Sequence, residues 1–185
     1  MPRYAMVIDQ RRCVACMACV VACKRENDVP AEYYRTRVVE TVEGTFPKLR
    51  MELRSELCNH CDNPPCVYNC PTAASHKRKD GTVQVDRKKC VGCKACVAAC
   101  PYDARYMHPE KGYADKCTFC THRLLEGKEP ACVATCIGKS RIFGDLDDPQ
   151  SDVSKLLRQH DASVLLVEAG THPRVYYIKK LSKAE

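Results

Sequence analysis

The sequence has no tryptophan and only three phenylalanines. A core built on large buried rings is therefore excluded, and something besides apolar packing must contribute to stability. No apolar run approaches the roughly 20 residues needed to cross a bilayer, so no direct membrane span is expected. The uncharged stretch from Cys13 to Cys23 is far too short for that role. A basic n-region followed by an apolar h-region is missing at the start, and a secretory leader is not expected. Arg11-Arg12 leads straight into cysteines rather than a hydrophobic segment, which excludes a twin-arginine reading. No nucleophile–base pair, phosphate-cradling glycine loop or paired-carboxylate site stands out, so a component without an active site of its own is expected. The formal charge is +7. The basic residues are not interleaved with stacking aromatics, and a nucleic-acid surface is not expected.

Cysteine, by contrast, is abundant: sixteen in 185 residues. They form four groups of four with none left over. Cys13, Cys16, Cys19 and Cys23 open the chain, followed by Cys58, Cys61, Cys66 and Cys70. Cys90, Cys93, Cys96 and Cys100 make the third group, and Cys117, Cys120, Cys132 and Cys136 the fourth. Three thiols within seven residues, as in Cys13–Cys19 and Cys90–Cys96, suit three corners of a cubane whose fourth ligand arrives from elsewhere. A [4Fe–4S] cluster takes four thiolates, so the count predicts four clusters, with all sixteen cysteines as both metal and cofactor ligands. Folding is then coupled to metal uptake.

Two other chemistries compete. Eight disulfides are disfavoured because tight C-x2-C pairs set side by side compete for the same sulfurs. A structural zinc protein is the other alternative, but zinc sites usually join two pairs across a spacer. Each oxidised cubane with its thiolates carries about −2, so four bring about −8 and leave the loaded chain near −1. Lys24, Arg25, Arg87, Lys88, Lys89, Lys94 and Lys116 neighbour the cysteine groups and are candidates to offset that charge, although each also fits an ordinary solvated residue. His60 and His122 are expected to cap local backbone, with a hydrogen bond to sulfur as the alternative. His76, His108, His160 and His172 suggest no site. Tyr102, Tyr106 and Tyr113 are expected to pack against the cysteine loops.

Strands are expected over Tyr4–Asp9 and around Val83–Asp86, and a hairpin from Val38–Glu43 and Leu49–Leu57. Short helices are expected over Cys19–Asn27 and Cys96–Cys100. A further helix begins after Pro149-Gln-Ser-Asp, with Val153, Leu156 and Leu157 on one face. Val164–Val167 and Val175–Ile178 read as a terminal strand pair, and 179–185 as a loose tail.

The third group carries the run C-x2-C-x2-C-x3-C followed by Pro101, and the second also ends in proline, Pro71. With the short bridge between them, these groups resemble a two-cluster bacterial ferredoxin. That resemblance implies that the fourth cysteine of each run serves the other cluster. Cys100 would join Cys58, Cys61 and Cys66, and Cys70 would join Cys90, Cys93 and Cys96. The outer groups would pair likewise, Cys136 with Cys13, Cys16 and Cys19, and Cys23 with Cys117, Cys120 and Cys132. A sequential pairing, first group with second and third with fourth, is the alternative, and it breaks the ferredoxin match. The implied fold is α+β: two bacterial-ferredoxin-like dicluster modules, the second (49–110) inserted into the first (1–48 with 111–148), and a C-terminal helix and strand extension (149–185).

Longer motifs carry a second resemblance. They are Cys58-Asn-His-Cys61-Asp-Asn-Pro-Pro-Cys66, Cys100-Pro-Tyr-Asp-Ala-Arg-Tyr106, Lys116-Cys117-Thr-Phe-Cys120-Thr-His-Arg123, Gly127, Pro130-Ala-Cys132-Val-Ala-Thr-Cys136 and Phe143-Gly-Asp-Leu146. From Tyr4 to Asp148 the chain resembles the four-cluster electron-transfer subunit of molybdopterin oxidoreductases, the type found in dimethyl sulfoxide, polysulfide, thiosulfate, tetrathionate and arsenate reductases. The resemblance implies single-electron relay between a catalytic subunit carrying a molybdenum or tungsten bis-pterin and an integral membrane quinone-binding anchor. It implies that the cluster of Cys13, Cys16, Cys19 and Cys136 faces the catalytic subunit, and that of Cys70, Cys90, Cys93 and Cys96 the membrane. Membrane association is through partners, on the periplasmic side by co-export with the catalytic subunit, the cytoplasmic side being the alternative. Ile137-Gly138 after Cys136, where many relatives have proline, fits the polysulfide, tetrathionate and arsenate branch. With sixteen cysteine ligands, no three-iron cluster is expected. A formate dehydrogenase or hydrogenase complex would use the same subunit type in the opposite direction.

Overall fold

The centre of the molecule is its first strand, β1 (Tyr4–Asp9). Ala5, Met6, Val7 and Ile8 are all fully buried, so both faces of β1 are covered. A strand apolar on both faces belongs in the middle of a sheet between two layers. In this computed structural model, which describes residues 1–179, β1 lies between β8 (Arg141–Asp145), antiparallel, and β10 (Val175–Ile178), parallel. β9 (Ala162–Ser163) completes the order β8-β1-β10-β9. Met6 and Ile8 face the main core with Cys19, Leu57, Cys117, Phe119 and Tyr177. Ala5 and Val7 face the other way, against Val153, Leu156 and Leu157 of α6 (Asp152–Gln159).

Local chemistry explains the boundaries. Asp9 ends β1: its carboxylate accepts the Arg11 backbone N–H at 3.1 Å, starting a 3-10 turn that delivers the chain to Cys13. Ser151 caps α6 by accepting the Ser154 N–H at 3.3 Å, with Asp152 in the first turn and Arg158 in the last, matching the helix dipole. The expected hairpin is present and longer than anticipated, β2 (Thr36–Thr45) with β3 (Lys48–Leu57). Its base is buried at Thr36 and Leu57, whereas Phe46 at the tip is 88% exposed.

Short elements hold the cysteine loops. α1 (Ala18–Asn27) carries Cys19 and Cys23 and packs on α5 (Ala131–Ala134), which carries Cys132. α2 (Pro65–Tyr68) holds Cys66 and packs on α3 (Ala95–Ala98), which holds Cys96. Two small hairpins, β4 (Ser75–Lys77) with β5 (Val83–Val85) and β6 (Arg105–Met107) with β7 (Ala114–Lys116), flank them. α4 (Thr121–Leu125) follows Cys120. The result is a small α+β fold of short helices and strands.

Two expectations require correction. Val164–Val167 is not a strand: Leu166 takes a left-handed φ of 48° and leads into a 3-10 turn over Val167–Ala169. Its intended partner, β10, pairs on that side with Ala162–Ser163, just upstream, and on its other side with β1. The helix expected to reach Cys100 stops at Ala98. Of the expected tail, residues 180–185 lie outside the described residues. Among the described residues no helix is long and apolar enough to cross a membrane.

Candidate metal centres

The four cysteine groups share one loop geometry. The residue just before the second cysteine of each group has left-handed backbone: Ala15 (φ 52°), His60 (44°), Gly92 (71°) and Phe119 (54°). Three of these carry a side chain, at a conformational cost of roughly 1–2 kcal/mol each. Such turns aim successive backbone N–H groups into one concavity, which suits an anion. At Gly92 an added Cβ would also sit 2.7 Å from the Gly112 carbonyl oxygen. A second left-handed residue stands three positions after the last cysteine in three groups: Ala73, Asp103 and Lys139. The chain then folds back, and the N–H groups of Ser75 and Ser140 donate to Cys70 Sγ and Cys136 Sγ, each at 3.3 Å. Cys23 departs from the pattern because α1 continues past it. There Asn27, one turn further on, points its amide at Cys23 Sγ and Cys120 Sγ, both at 3.8 Å.

Sulfurs distant in sequence come together. Cys23, Cys117, Cys120 and Cys132 line one cleft of about 320 Å³ with Asn27, Arg35 and Arg141. Cys70, Cys90, Cys93 and Cys96 line another of about 320 Å³. The Cys61 thiol interacts with those of Cys58, Cys66 and Cys100. At the fourth place the loop after Cys136 is stitched to the segment before Cys13. Asp9 N–H donates to Ser140 O at 2.8 Å, and Ser140 Oγ donates to Asp9 O at 2.8 Å. The chains are so close that a Cβ on Gly138 would lie 2.2 Å from the Arg12 carbonyl oxygen. Cys19, on the adjoining helix, is buried, whereas Cys16 is exposed.

This donor set fits a polynuclear centre. Burial, followed by the neighbouring cysteines, pushes the Cys117 thiol well up. Burial pushes Cys23 and Cys61 up to about 12. Grouped thiolates in such surroundings need a compensating positive core. Among the described residues no three His, Cys, Asp or Glu side chains close on a single-ion point. Two of the clefts are each lined by four cysteines, the number of thiolates a cubane takes. Cys70 differs: burial alone would raise it, but donors from Ser75 and Thr72 outweigh that and hold it below the usual thiol value.

Sequence adjacency singles out the wrong cations in part. Lys24 Nζ donates to the carbonyls of Pro30, Ala31 and Tyr33, and so pins a loop. Lys116 is buried beside Cys117 and Cys58. Arg35, Arg105 and Arg141 are buried near sulfur without having been anticipated; Arg35 is held by Asp115 in a two-point ion pair at 2.7 and 2.8 Å. His60 does cap backbone, accepting the Val83 N–H at 3.0 Å while its ring stacks on Phe119. His122 instead meets the Glu26 carboxylate at 2.8 Å, contrary to the expected backbone cap. Tyr102, Tyr106 and Tyr113 are buried among the loops as expected. Sequence reasoning also missed Asn27, legible only as the residue one helical turn after Cys23. Thr171 was missed too, and its hydroxyl hydrogen bonds with that of Tyr102 at 2.5 Å and reaches Cys61. No local signal marks Thr171.

Known proteins carry the same features. The family described as a 4Fe-4S dicluster domain matches residues 49–146, and one described as a 4Fe-4S binding domain matches residues 11–34. The chain is 52% identical to a tetrathionate reductase subunit of Salmonella typhimurium, over 95% of this chain and 72% of that protein. It is 43% identical to a tetrathionate reductase subunit of Archaeoglobus fulgidus, over 95% and 82%. It is 39% identical to the arsenate respiratory reductase iron–sulfur subunit of Shewanella sp., over 96% of both chains. With its sixteen grouped thiols, the chain belongs to the family of 4Fe–4S electron-transfer subunits of oxidoreductases.

Proposed function

We propose that the chain holds four [4Fe–4S] clusters with crossed ligands and relays single electrons within a membrane-associated molybdopterin respiratory reductase. The sites are Cys13, Cys16, Cys19 with Cys136; Cys117, Cys120, Cys132 with Cys23; Cys58, Cys61, Cys66 with Cys100; and Cys90, Cys93, Cys96 with Cys70. Two ferredoxin-like modules, 49–110 within 1–48 and 111–148, are the corresponding units. The observation that carries this reading is the single cleft shared by Cys23 and by Cys117, Cys120 and Cys132, which lie about a hundred positions apart. When bound, the clusters supply one-electron steps between two-electron partners. The protein's part is to supply thiolates, exclude water around Cys117 and Cys132, and aim N–H donors at sulfur, all of which adjust potential.

The partners in this reading are a molybdenum or tungsten pterin catalytic subunit and a quinone-binding membrane anchor, with the complex on the periplasmic side. Identity to two tetrathionate reductase subunits makes a sulfur-oxyanion reductase the first complex to test. Anaerobic purification with whatever co-purifies should yield a brown sample with about 16 iron atoms per chain. Changing Cys100→Ser should abolish the signal of the site built by Cys58, Cys61 and Cys66. Loss of the Cys90 site instead would establish that each run ligates its own cluster, and a colourless zinc-rich sample would overturn the whole reading.

A further inference from the structure

Three buried cations have no carboxylate partner among the described residues, and each stands where two of the proposed sites meet. Arg141, the first residue of β8, is 3% exposed. One of its terminal nitrogens donates to Thr36 Oγ1 and Ser55 Oγ. Arg141 lines the cleft of Cys132, and the Ser55 hydroxyl it holds lies 3.9 Å from Cys19 Sγ, so it adjoins thiols of different sites. Arg105, the first residue of β6, is 4% exposed and donates to Cys66 Sγ and Ser75 Oγ, each at 2.9 Å. Besides Cys66 and Cys58 it interacts with Cys96, a thiol of the other site. Lys116 is 1% exposed and donates to the carbonyls of Val83 and Cys117. It lies in the field of Cys58 and of Cys117, whose carbonyl it also holds, and these belong to two sites.

This distribution is not what folding alone would select. A buried cation without a counter-ion is destabilising, and Arg35 shows the ordinary solution, a paired Asp115. Among the described residues Nε and Nη1 of both Arg105 and Arg141 find no oxygen or nitrogen acceptor. Nor does the backbone repeat demand arginine. Arg105 and Arg141 each follow the last cysteine of their group by five positions, and the same position after Cys70 is Ser75, which also opens a strand. Arg141 adjoins the Cys13 and Cys117 sites, Lys116 the Cys117 and Cys58 sites, and Arg105 the Cys58 and Cys90 sites.

We propose that Arg141, Lys116 and Arg105 are junction charges, each raising the reduction potential of the two clusters beside it. A cluster becomes more negative when it accepts an electron, so a fixed positive charge in a water-poor interior favours its reduced form. A cation between two clusters stabilises the reduced form of both, so both potentials rise together. The proposal rests on the crossed ligand sets proposed above.

The test is a potentiometric titration, followed by electron paramagnetic resonance, of the anaerobically purified complex with Arg141→Gln, Lys116→Gln or Arg105→Gln. Arg141→Gln should lower the midpoints of the Cys13 and Cys117 sites and leave the other two unchanged. Arg105→Gln should lower those of the Cys58 and Cys90 sites. Lys116→Gln should lower the two middle ones, those of the Cys117 and Cys58 sites. Arg141→Lys and Arg105→Lys should restore most of each shift, which a purely structural role would not require. If a glutamine variant fails to hold four clusters, Ser55→Asp or Ser75→Asp sets a carboxylate on the guanidinium and should lower the same two midpoints. Four intact clusters with unmoved midpoints, or all four moving alike, would overturn the proposal. Fewer than four clusters in the unaltered protein would instead overturn the ligand sets beneath it.

Discussion

The cleft of Cys117 and that of Cys93 solve the same chemical problem by different means. The first is cut into the main core: Cys117 shares a packed cluster with Met6, Ile8, Phe119 and Tyr177, and its fourth thiol comes from α1. The second stands on a small satellite core of Cys66, Val83, Cys96 and Ala114, and Cys93 is exposed. Both use backbone N–H groups, Phe119 in the first and Ser75 and Ala114 in the second; the first adds an amide side chain, Asn27, and flanking arginines, the second the Thr72 hydroxyl. In the first, the bound group would replace missing apolar core. In the second, it would decorate a loop framework that has other supports. The sparse aromatic content is thus compensated mainly at one of the two places.

The largest contrast should come from ligand loss. Cys117→Ser should remove the cooperative unfolding transition seen by circular dichroism, because a buried hydroxyl replaces a sulfur at the core. Cys93→Ser should keep that transition and lose about 4 of about 16 iron atoms. Equal damage from both would erase the distinction. A middle-sized contrast is expected between neighbours of the two clefts. Phe119→Ala opens a fully buried hole and should cost about 3–5 kcal/mol in chemical denaturation. Met107→Ala, beside the satellite core and partly exposed, should cost only about 1–2 kcal/mol. The smallest change is a control remote from both. Ser151→Ala removes the α6 cap, should cost about 1 kcal/mol, and should leave every cluster midpoint where it was.

What the sequence made legible is short in range. Cysteine spacing identified the sulfur loops because a C-x2-C turn is a local geometry, and β1 was visible as an unbroken apolar run. α6 was marked by its cap and its apolar face. What stayed hidden depends on contacts between distant segments. β4, β6 and β7 are three residues each, too short for an alternating pattern, and exist because they brace neighbouring loops. Val164–Val167 had strand composition, but the edge of β10 is met by Ala162–Ser163, and the left-handed Leu166 then turns the chain away. The cations nearest sulfur in space are in part not those nearest in sequence. Lys24 follows Cys23 directly yet binds carbonyls, whereas Arg141 faces Cys19 from the far end of the chain.

The central sheet has a consequence for how the protein is made. Met6 sits beside Val175, about 170 residues later, and at roughly 5–20 residues per second a ribosome needs about 8–34 s to supply that neighbour. Until then the opening strand has an unsatisfied edge, and the sulfur loops emerge one after another without their roof. Iron delivery during that interval would meet open pockets; afterwards, the closed sheet would bar the way to the deepest ones.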